Sequence, residues 1–123
     1  MATARRRLGD LGEQIACERL IALGMSVIER NWRSGHHEVD VIAADAAGLH
    51  FVEVKSRTAP VSADPLVGIT ASKKRSLTKA ALEYLGEKRC GDIEIFFDVM
   101  TVVFDGESAH VDYYPQAFIP VYT

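Results

Sequence analysis

Two apolar, β-branched segments separated by a four-residue turn constrain the fold of this chain most strongly. The segments are HEVDVIAA (residues 37–44) and LHFVEVKSR (residues 49–57), and the turn is DAAG. Alternating side chains bounded by turn residues predict two strands joined as an antiparallel hairpin. With the turn centred on its two alanines, Ile42 faces Phe51. A shift of one residue would place carboxylates opposite valines, so the hydrophobic pattern favours this register.

The same register brings charged side chains together on one face of the hairpin. Asp40 is expected opposite Glu53, and Glu38 opposite Lys55, while the other face carries the valines. Like charges that are directly opposed, with Cβ atoms roughly 5 Å apart, destabilise a sheet. The two carboxylates must therefore share a proton, bind a cation, or do both.

A divalent cation is the most economical way to relieve this repulsion. Hard oxygen ligands suit Mg²⁺, which binds through one or two carboxylates and keeps waters that a phosphate can replace. A lysine beside such a site can hold a phosphate oxygen or the attacking water. The alternative interpretation is a surface salt-bridge cluster of the same four residues, since such pairs are common and weak.

A helix is predicted before the hairpin, over about Leu8 to Leu23. Gly24 follows where a C-terminal cap glycine is expected. The apolar residues that lie mostly on one broad face are Leu8, Leu11, Ile15, Leu20 and Leu23. Beside them, Gly9, Gly12 and Ala16 form a stripe of small residues that allows close approach to another backbone. Glu13 lies at the edge of this stripe and would approach with it.

A second helix is predicted after a proline-containing loop over residues 58–68, and it runs from about Ala71 to Leu85. Thr70 or Ser72 could cap its start, and Gly86 could end it. Its apolar side comprises Leu77, Ala81, Tyr84 and Leu85. Its basic side comprises Lys73, Lys74, Arg75 and Lys79.

The last part of the chain predicts a second hairpin. The strand-like segments DIEIFFDVMTVVF and SAHVDYY flank an Asp-Gly turn at Asp105 and Gly106. The resulting order αββαββ predicts one α/β domain over residues 1–123, with a mixed sheet flanked by helices. In the C-terminal segment, the aromatic residues Tyr113, Tyr114, Phe118 and Tyr122 are expected to pack on the core, with a partner subunit as the alternative.

Composition suggests a cytoplasmic protein with no membrane partner. Cys17 and Cys90 form neither a disulfide framework nor a CxxC motif, so free thiols in a reducing compartment are expected. No apolar run approaches the ~20 residues that span a bilayer. The net charge of −3 argues against a general nucleic-acid coat protein. Without Glu13, Glu38, Asp40 and Glu53, however, the remainder would carry +1 and could contact phosphates, with Arg5–Arg7 and the second helix as basic clusters.

The chain resembles the YraN-like bacterial proteins, an endonuclease-like family within the PD-(D/E)xK nuclease superfamily that includes archaeal Holliday junction resolvases. The resemblance runs from GDLGEQIACERL through NWRSGHHEVDVIAAD and FVEVKSR to SKKRSLTKAALEYL and FFDVMTVV, so it covers nearly the whole chain. It implies a restriction-endonuclease-like core. Two positions depart from the pattern: Val39 replaces the proline before the aspartate, and His37 replaces a glycine before Glu38.

The resemblance also implies roles for individual residues. Asp40 matches the motif aspartate, Glu53 and Lys55 match the (D/E)xK, and Glu13 matches a helical glutamate of resolvase-like sites. Asp40, Glu53 and the Val54 carbonyl would bind one or two Mg²⁺ ions with help from Glu13, and Mn²⁺ could substitute. Lys55 would position the water or stabilise charge at phosphorus, and Glu38 would be accessory.

Two functions from different classes are therefore expected as alternatives. The first is a Mg²⁺-dependent DNA endonuclease acting on branched or structured DNA, with Lys73, Lys74, Arg75, Lys79 and Arg57 on the DNA. The second is a nuclease-fold module that binds nucleic acid or protein without cutting. A homodimer is one alternative for the assembly, by similarity to the resolvases. His36 and His37 are either exposed polar residues or metal ligands.

Overall fold

The computed structural model describes residues 3–61, 64, 66 and 68–119, with only the backbone of Arg5, and these residues form an α/β unit built on a mixed sheet. The elements are α1 (Ala4–Ala22), β1 (Ser26–Ser34), β2 (His37–Ala44), β3 (Leu49–Thr58), α2 (Ala71–Lys88), β4 (Ile95–Asp105) and β5 (Ser108–Tyr114). The five strands lie in the order β1-β2-β3-β4-β5. β3 and β4 are parallel, and the other neighbours are antiparallel.

The α/β class and the mixed sheet flanked by helices are confirmed, but the predicted element order is corrected. The observed order is αβββαββ, because the segment SVIERNWRS forms strand β1 on the sheet edge. Its side chains are only partly buried or exposed, which is typical of an edge strand. Charged residues within the segment conceal the apolar alternation on which strand prediction depends.

Helix α1 begins earlier than predicted and buries a narrower face. Thr3 caps it, since its Oγ1 accepts a hydrogen bond from the Arg6 backbone N–H at 3.1 Å. Gly24, with φ +95°, follows the C-cap residue Leu23, as expected for a helix end. Leu23 itself is 54% exposed, and Leu11 is 50% exposed, so these two predicted core residues face outward.

The small-residue stripe of α1 makes the predicted close approach at Gly12. A Cβ on Gly12 would lie 1.9 Å from Ser56 Oγ of β3, whereas a Cβ on Gly9 would meet nothing within 4 Å. Ala16 and Leu20 are fully buried below Gly12. The stripe therefore seats α1 directly on the sheet and brings Glu13 toward strand β3.

Helix α2 is capped by Thr70, the first of the two predicted caps, which accepts from the Lys73 backbone N–H at 3.1 Å. The helix continues past Gly86 to Lys88 and ends at Arg89, which adopts a left-handed conformation with φ 52°. The predicted end at Gly86 is therefore wrong by two residues. Its predicted apolar side is confirmed, because Leu77, Ala81 and Tyr84 are buried.

The two helices cover opposite faces of the sheet, so two cores form. The α2-side core contains Val39, Ile42, Phe51, Leu77, Ala80, Ala81, Tyr84, Phe97 and Phe118 among its buried residues. The α1-side core contains Ala16, Cys17, Leu20, Met25, Val41, Ala43, Val52, Met100 and Val102. Neither described helix is long and apolar enough to cross a membrane. Both cysteines are free thiols, as expected.

The predicted packing of the C-terminal aromatics on the core is confirmed for Phe118 and for Tyr113, which packs against the α1-side core. Phe118 is buried and stacks on Phe97 with ring centroids 5.1 Å apart. Tyr113 contacts Asp98 on β4. Tyr122 lies outside the described residues.

A buried acid on β4, Asp98, connects β3, β5 and the segment after β5 through hydrogen bonds. Its side chain is fully buried, with Oδ2 2.6 Å from His50 Nδ1 and Oδ1 accepting from the Gln116 N–H at 2.9 Å. The Tyr113 hydroxyl also donates to Oδ2. A buried carboxylate with three partners is well satisfied, so removing it leaves those partners without an acceptor.

We expect Asp98→Ala to lower the free energy of unfolding by roughly 3–5 kcal/mol, because it orphans groups buried around it. Urea denaturation measures this loss. The matched control is Asp112→Ala on β5, whose exposed contact with His110 should contribute less than about 1 kcal/mol. Equal losses in the two variants would contradict the role given to Asp98.

Candidate metal and phosphodiester site

Strands β2 and β3 pair in the predicted register and then separate at Asp40. Ile42 faces Phe51 and Val41 faces Val52, but the paired residues stop there. Beyond them, Asp40 Oδ2 accepts a hydrogen bond from the Val54 backbone N–H at 2.8 Å. A side-chain carboxylate has replaced a backbone acceptor in the ladder, so the two strands leave a gap lined by Asp40 and β3.

The inside–outside alternation of the sheet also breaks at Asp40. Val41 belongs to the α1-side core, whereas Val39, two residues earlier, belongs to the α2-side core. On β1 the residue between the partners of Val41 and Val39 is Asn31, which has φ 52°. A left-handed residue on one strand therefore accompanies the break on its neighbour, while the pairing register of β1 with β2 is unchanged across it.

This break corrects two parts of the predicted hairpin. The hairpin does not have one core face and one charged face, because Ile42 and Phe51 are both buried beneath α2. The observed ladder also contains no pair of Glu38 with Lys55. Glu38 instead lies 3.5 Å from Arg33 on β1 and remains partly exposed. The first difference arises because a helix covers each face of the sheet. The second arises from the kink at Asp40, which strict alternation cannot anticipate.

The predicted meeting of Asp40 and Glu53 does occur. Their side chains are in hydrogen-bond contact, and burial raises the pKa of both carboxyls. For Glu53, burial and the neighbouring Asp40 charge raise the pKa to about 8. For Asp40, the hydrogen bonds from Val54 and Glu53 partly offset the effect of burial. Without a bound metal ion, the pair therefore holds a proton near neutral pH.

A lysine from each of two elements surrounds Glu53. Lys73, in the first turn of α2, places its Nζ 3.2 Å from Glu53 Oε1. Lys55 lies on the same strand, and burial followed by the Arg57 charge lowers its pKa. A Cβ on Gly68 would lie 2.1 Å from Lys55 Nζ, so the glycine provides the space that the ammonium occupies.

Glu13 approaches from the α1 side of the gap. Burial and then the Asp40 charge raise its pKa to about 7, while Arg30 and a hydrogen bond from Asn31 act in the opposite direction. Arg30 Nη2 lies 4.0 Å from Glu13 Oε1, a charge contact without a hydrogen bond. Arg30 and Asn31 were missed by the sequence analysis because both belong to the unpredicted strand β1.

The donor atoms at the gap suit a hard divalent cation. Glu53 Oε2 and Glu13 Oε1 are buried without a hydrogen-bond partner in the described structure. The Val54 carbonyl faces the same gap as its N–H, since both groups of a strand residue point to one side. Within the described residues, however, no three His, Cys, Asp or Glu side chains form a metal-ligating group. The fit therefore rests on Asp40, Glu53 and the Val54 carbonyl, and ligation by Glu13 stays a prediction.

The basic residues assigned to DNA are divided between the gap and the outer surface. Lys73 lies at the gap, and Arg57 lines a groove of about 440 Å³ beside Glu13, Val54 and Ser56. Lys74 lies 5.8 Å from the centre of the Phe118 ring. Arg75 and Lys79 are exposed on α2. His36 is exposed, and His37 Nδ1 lies 3.0 Å from Ser76 Oγ.

The fold and the gap define an α/β protein with a partly buried pair of carboxylates where two strands of a mixed sheet separate. The model of the family described as "Uncharacterised protein family UPF0102" matches residues 12–102. This chain belongs to that family, which confirms the YraN-like assignment made from the sequence. A UPF0102 protein of Geobacter metallireducens is 35% identical and covers 96% of this chain and 97% of its own. One of Myxococcus xanthus is 40% identical, covering 93% and 90%.

A solved structure with a similar backbone is Hjc of Archaeoglobus fulgidus, described as a Holliday junction resolvase from an archaeal hyperthermophile. The TM-score is 0.45 at 14% sequence identity, over 87% of this chain and 76% of that one.

The carboxylate pair should make stability fall as pH rises when no metal is present. Glu53 has a folded-state pKa of about 8 against an ordinary value of 4.5, so its protonated form stabilises the fold fully below about 4.5. That contribution is lost as pH rises toward 8. We expect Glu53→Gln to flatten this decline and to raise the melting temperature at pH 8.5 by roughly 4 °C in EDTA.

Thermal unfolding from pH 5 to 9 in EDTA checks this expectation. The control is Glu83→Gln, which removes the same charge from an exposed position on α2. A steep pH dependence that persists unchanged in Glu53→Gln would contradict the assignment.

We expect the left-handed backbone conformation of Asn31, more than its side chain, to be required for the break in alternation at Asp40. Asn31→Gly can keep φ near 52° and removes only the bond to Glu13, whereas Asn31→Val cannot adopt that conformation without strain. We expect Asn31→Val to cost about 1–3 kcal/mol of unfolding free energy and Asn31→Gly distinctly less. Chemical denaturation of the two variants measures the difference, and equal costs would argue against a conformational role.

Proposed function

We propose that this protein is a Mg²⁺-dependent DNA endonuclease that hydrolyses phosphodiester bonds. The observation that carries the proposal is the contact between Asp40 and Glu53 at the separation of β2 and β3, with Lys55 two residues away. Two buried acids in contact destabilise a fold unless a proton or cation lies between them. Such an arrangement is expected where a site needs to bind a metal.

The residues of the gap have distinct roles in this proposal. Asp40, Glu53 and the Val54 carbonyl would hold Mg²⁺, which supplies a Lewis acid for the phosphoryl group and lowers the pKa of a bound water. The Val54 N–H keeps Asp40 oriented across the gap. Glu13 assists from α1, with Arg30 and Asn31 holding its carboxyl. Glu38, paired with Arg33 at the margin, is accessory.

Lys55 would act on the substrate and not on the metal. Its ammonium lies against Gly68, beside Arg57, and burial lowers its pKa. A lysine held in this way can orient the attacking water or stabilise the charge that develops at phosphorus. Mn²⁺ would substitute for Mg²⁺, because both accept oxygen ligands in octahedral geometry.

DNA would approach from the side on which α2 presents its basic residues. Lys73 and Arg57 lie closest to the gap, and Lys74, Arg75 and Lys79 extend the basic surface along α2. Phosphate contacts of this kind position DNA without reading its sequence. The preference for branched or structured DNA, the cytoplasmic setting and a homodimer rest on the sequence analysis alone.

The deciding experiment incubates the purified protein with linear, flapped and four-way-junction DNA in Mg²⁺, Mn²⁺ or EDTA. We expect metal-dependent cleavage that falls at least ~100-fold in Asp40→Asn, which removes a proposed metal ligand, and in Lys55→Ala, which removes a group acting at the phosphorus. Glu107→Gln, in the exposed turn between β4 and β5, is the control and should cut like the wild type. Cleavage that survives both site substitutions would refute the site.

The second candidate function is binding of nucleic acid or protein without cleavage. It is favoured by one observation: within the described ranges, no third acid, histidine or cysteine joins the carboxylate pair in a metal-ligating group. Retention of DNA in EDTA, together with no cutting in any metal, would establish this alternative over the first.

A further inference from the structure

Lys73 stands out among the basic residues because its ammonium contacts a proposed metal ligand directly. Nζ lies 3.2 Å from Glu53 Oε1, and the Glu53 side chain is 12% exposed. The lysine side chain is 41% exposed, so it joins the buried acid from the solvent side. In this structure, the Lys73 ammonium therefore supplies the positive charge that the carboxylate pair requires, and it does so from a long, flexible side chain.

The position of Lys73 on α2 is unfavourable for the helix itself. The Lys73 backbone N–H bonds to the Thr70 cap, which places the residue in the first turn, where the helix dipole favours acids over bases. The first turn of α2 contains no acidic residue. Local helix energetics thus give no reason for a lysine here, whereas the Glu53 carboxylate does.

Lys73 and a divalent cation would compete for the same negative charge. Both neutralise Asp40 and Glu53, and two cations held next to one carboxylate repel each other. The lysine has a four-carbon stem and is 41% exposed, so its ammonium can move into solvent when a metal takes over neutralisation of the carboxylates. A metal ion coordinated by Asp40 and Glu53, in contrast, cannot move into solvent and stay bound.

We propose that Lys73 is a resident counter-ion of the carboxylate pair that the divalent metal displaces when it binds. This inference rests on the proposed metal site and deepens it. Lys73 keeps the metal-free site folded by offsetting the buried charge, and it lowers the affinity of the site for metal. Once displaced, its ammonium remains at the mouth of the gap, where a phosphate would approach.

Calorimetric titration of Mg²⁺ into the wild type, Lys73→Met and Lys74→Met tests this competition. Lys74 is the matched control, since it is the next residue of the same turn and lies over the Phe118 ring instead of the carboxylates. We expect Lys73→Met to bind Mg²⁺ roughly fivefold or more tightly than the wild type, and Lys74→Met to change the affinity less than about twofold. Lys73→Arg, which keeps the charge, should return the affinity toward that of the wild type.

A second readout is the thermal shift produced by Mg²⁺ at pH 8. Metal-free Lys73→Met should melt below the wild type, and added Mg²⁺ should raise its melting temperature by more than it raises that of the wild type. If Lys73→Met binds Mg²⁺ as the Lys74 variant does, or more weakly than the wild type, the competition is refuted. Should this occur while the wild type binds Mg²⁺ and cuts DNA, the proposed function stands alone. A wild type that binds no divalent metal would overturn both proposals.

Discussion

The hydrogen bond from the Val54 N–H to Asp40 Oδ2 is the interaction on which the candidate site depends. It replaces one rung of the β2–β3 ladder with a side chain, so the strands part without leaving that N–H unsatisfied. Where the strands separate, a gap opens and the Val54 carbonyl faces it. Asp40 then interacts with Glu53 on the α2 side of the sheet and with the charge of Glu13 on the α1 side. A continuous ladder would have kept Asp40 on the face of Glu53, away from Glu13 on the opposite face.

Two acids of this protein, Asp98 fully buried and Glu53 partly buried, have opposite effects on stability. Asp98 is fully enclosed and accepts from Tyr113 and Gln116 while contacting His50, so its charge is satisfied and binds the sheet together. Glu53 Oε1 forms an ion pair with Lys73, whereas Oε2 has no hydrogen-bond partner among the described atoms. Burial, followed by the Asp40 charge, raises the pKa of Glu53 to about 8. The first acid contributes stability. The second costs stability, which is expected where a site must retain capacity for a ligand.

The helices deliver the remaining groups from opposite faces of the sheet. On one side, Gly12 seats α1 against Ser56 of β3, and this close approach brings Glu13 to the gap. On the other side, the Thr70 cap fixes the start of α2, so Lys73 reaches Glu53 from the first turn. The site is therefore assembled from α1, the β1–β3 strands and α2, and no single local motif contains it.

Much of this arrangement was determined by the sequence alone. Period-two alternation and the DAAG turn fixed the hairpin register and the meeting of Asp40 with Glu53, and the small-residue stripe predicted the approach of α1. Those are local rules, since they depend on neighbours along the chain or across a short turn. Three features were decided only by the tertiary structure. They are the kink at Asp40 beside Asn31, the contacts of Arg30 and Asn31 with Glu13, and the ion pair between Lys73 and Glu53. The first two depend on the edge strand β1, whose charged residues hide its strand pattern in the sequence. All three bring together groups that are far apart in sequence, and packing and burial, not periodicity, determine which of these groups meet.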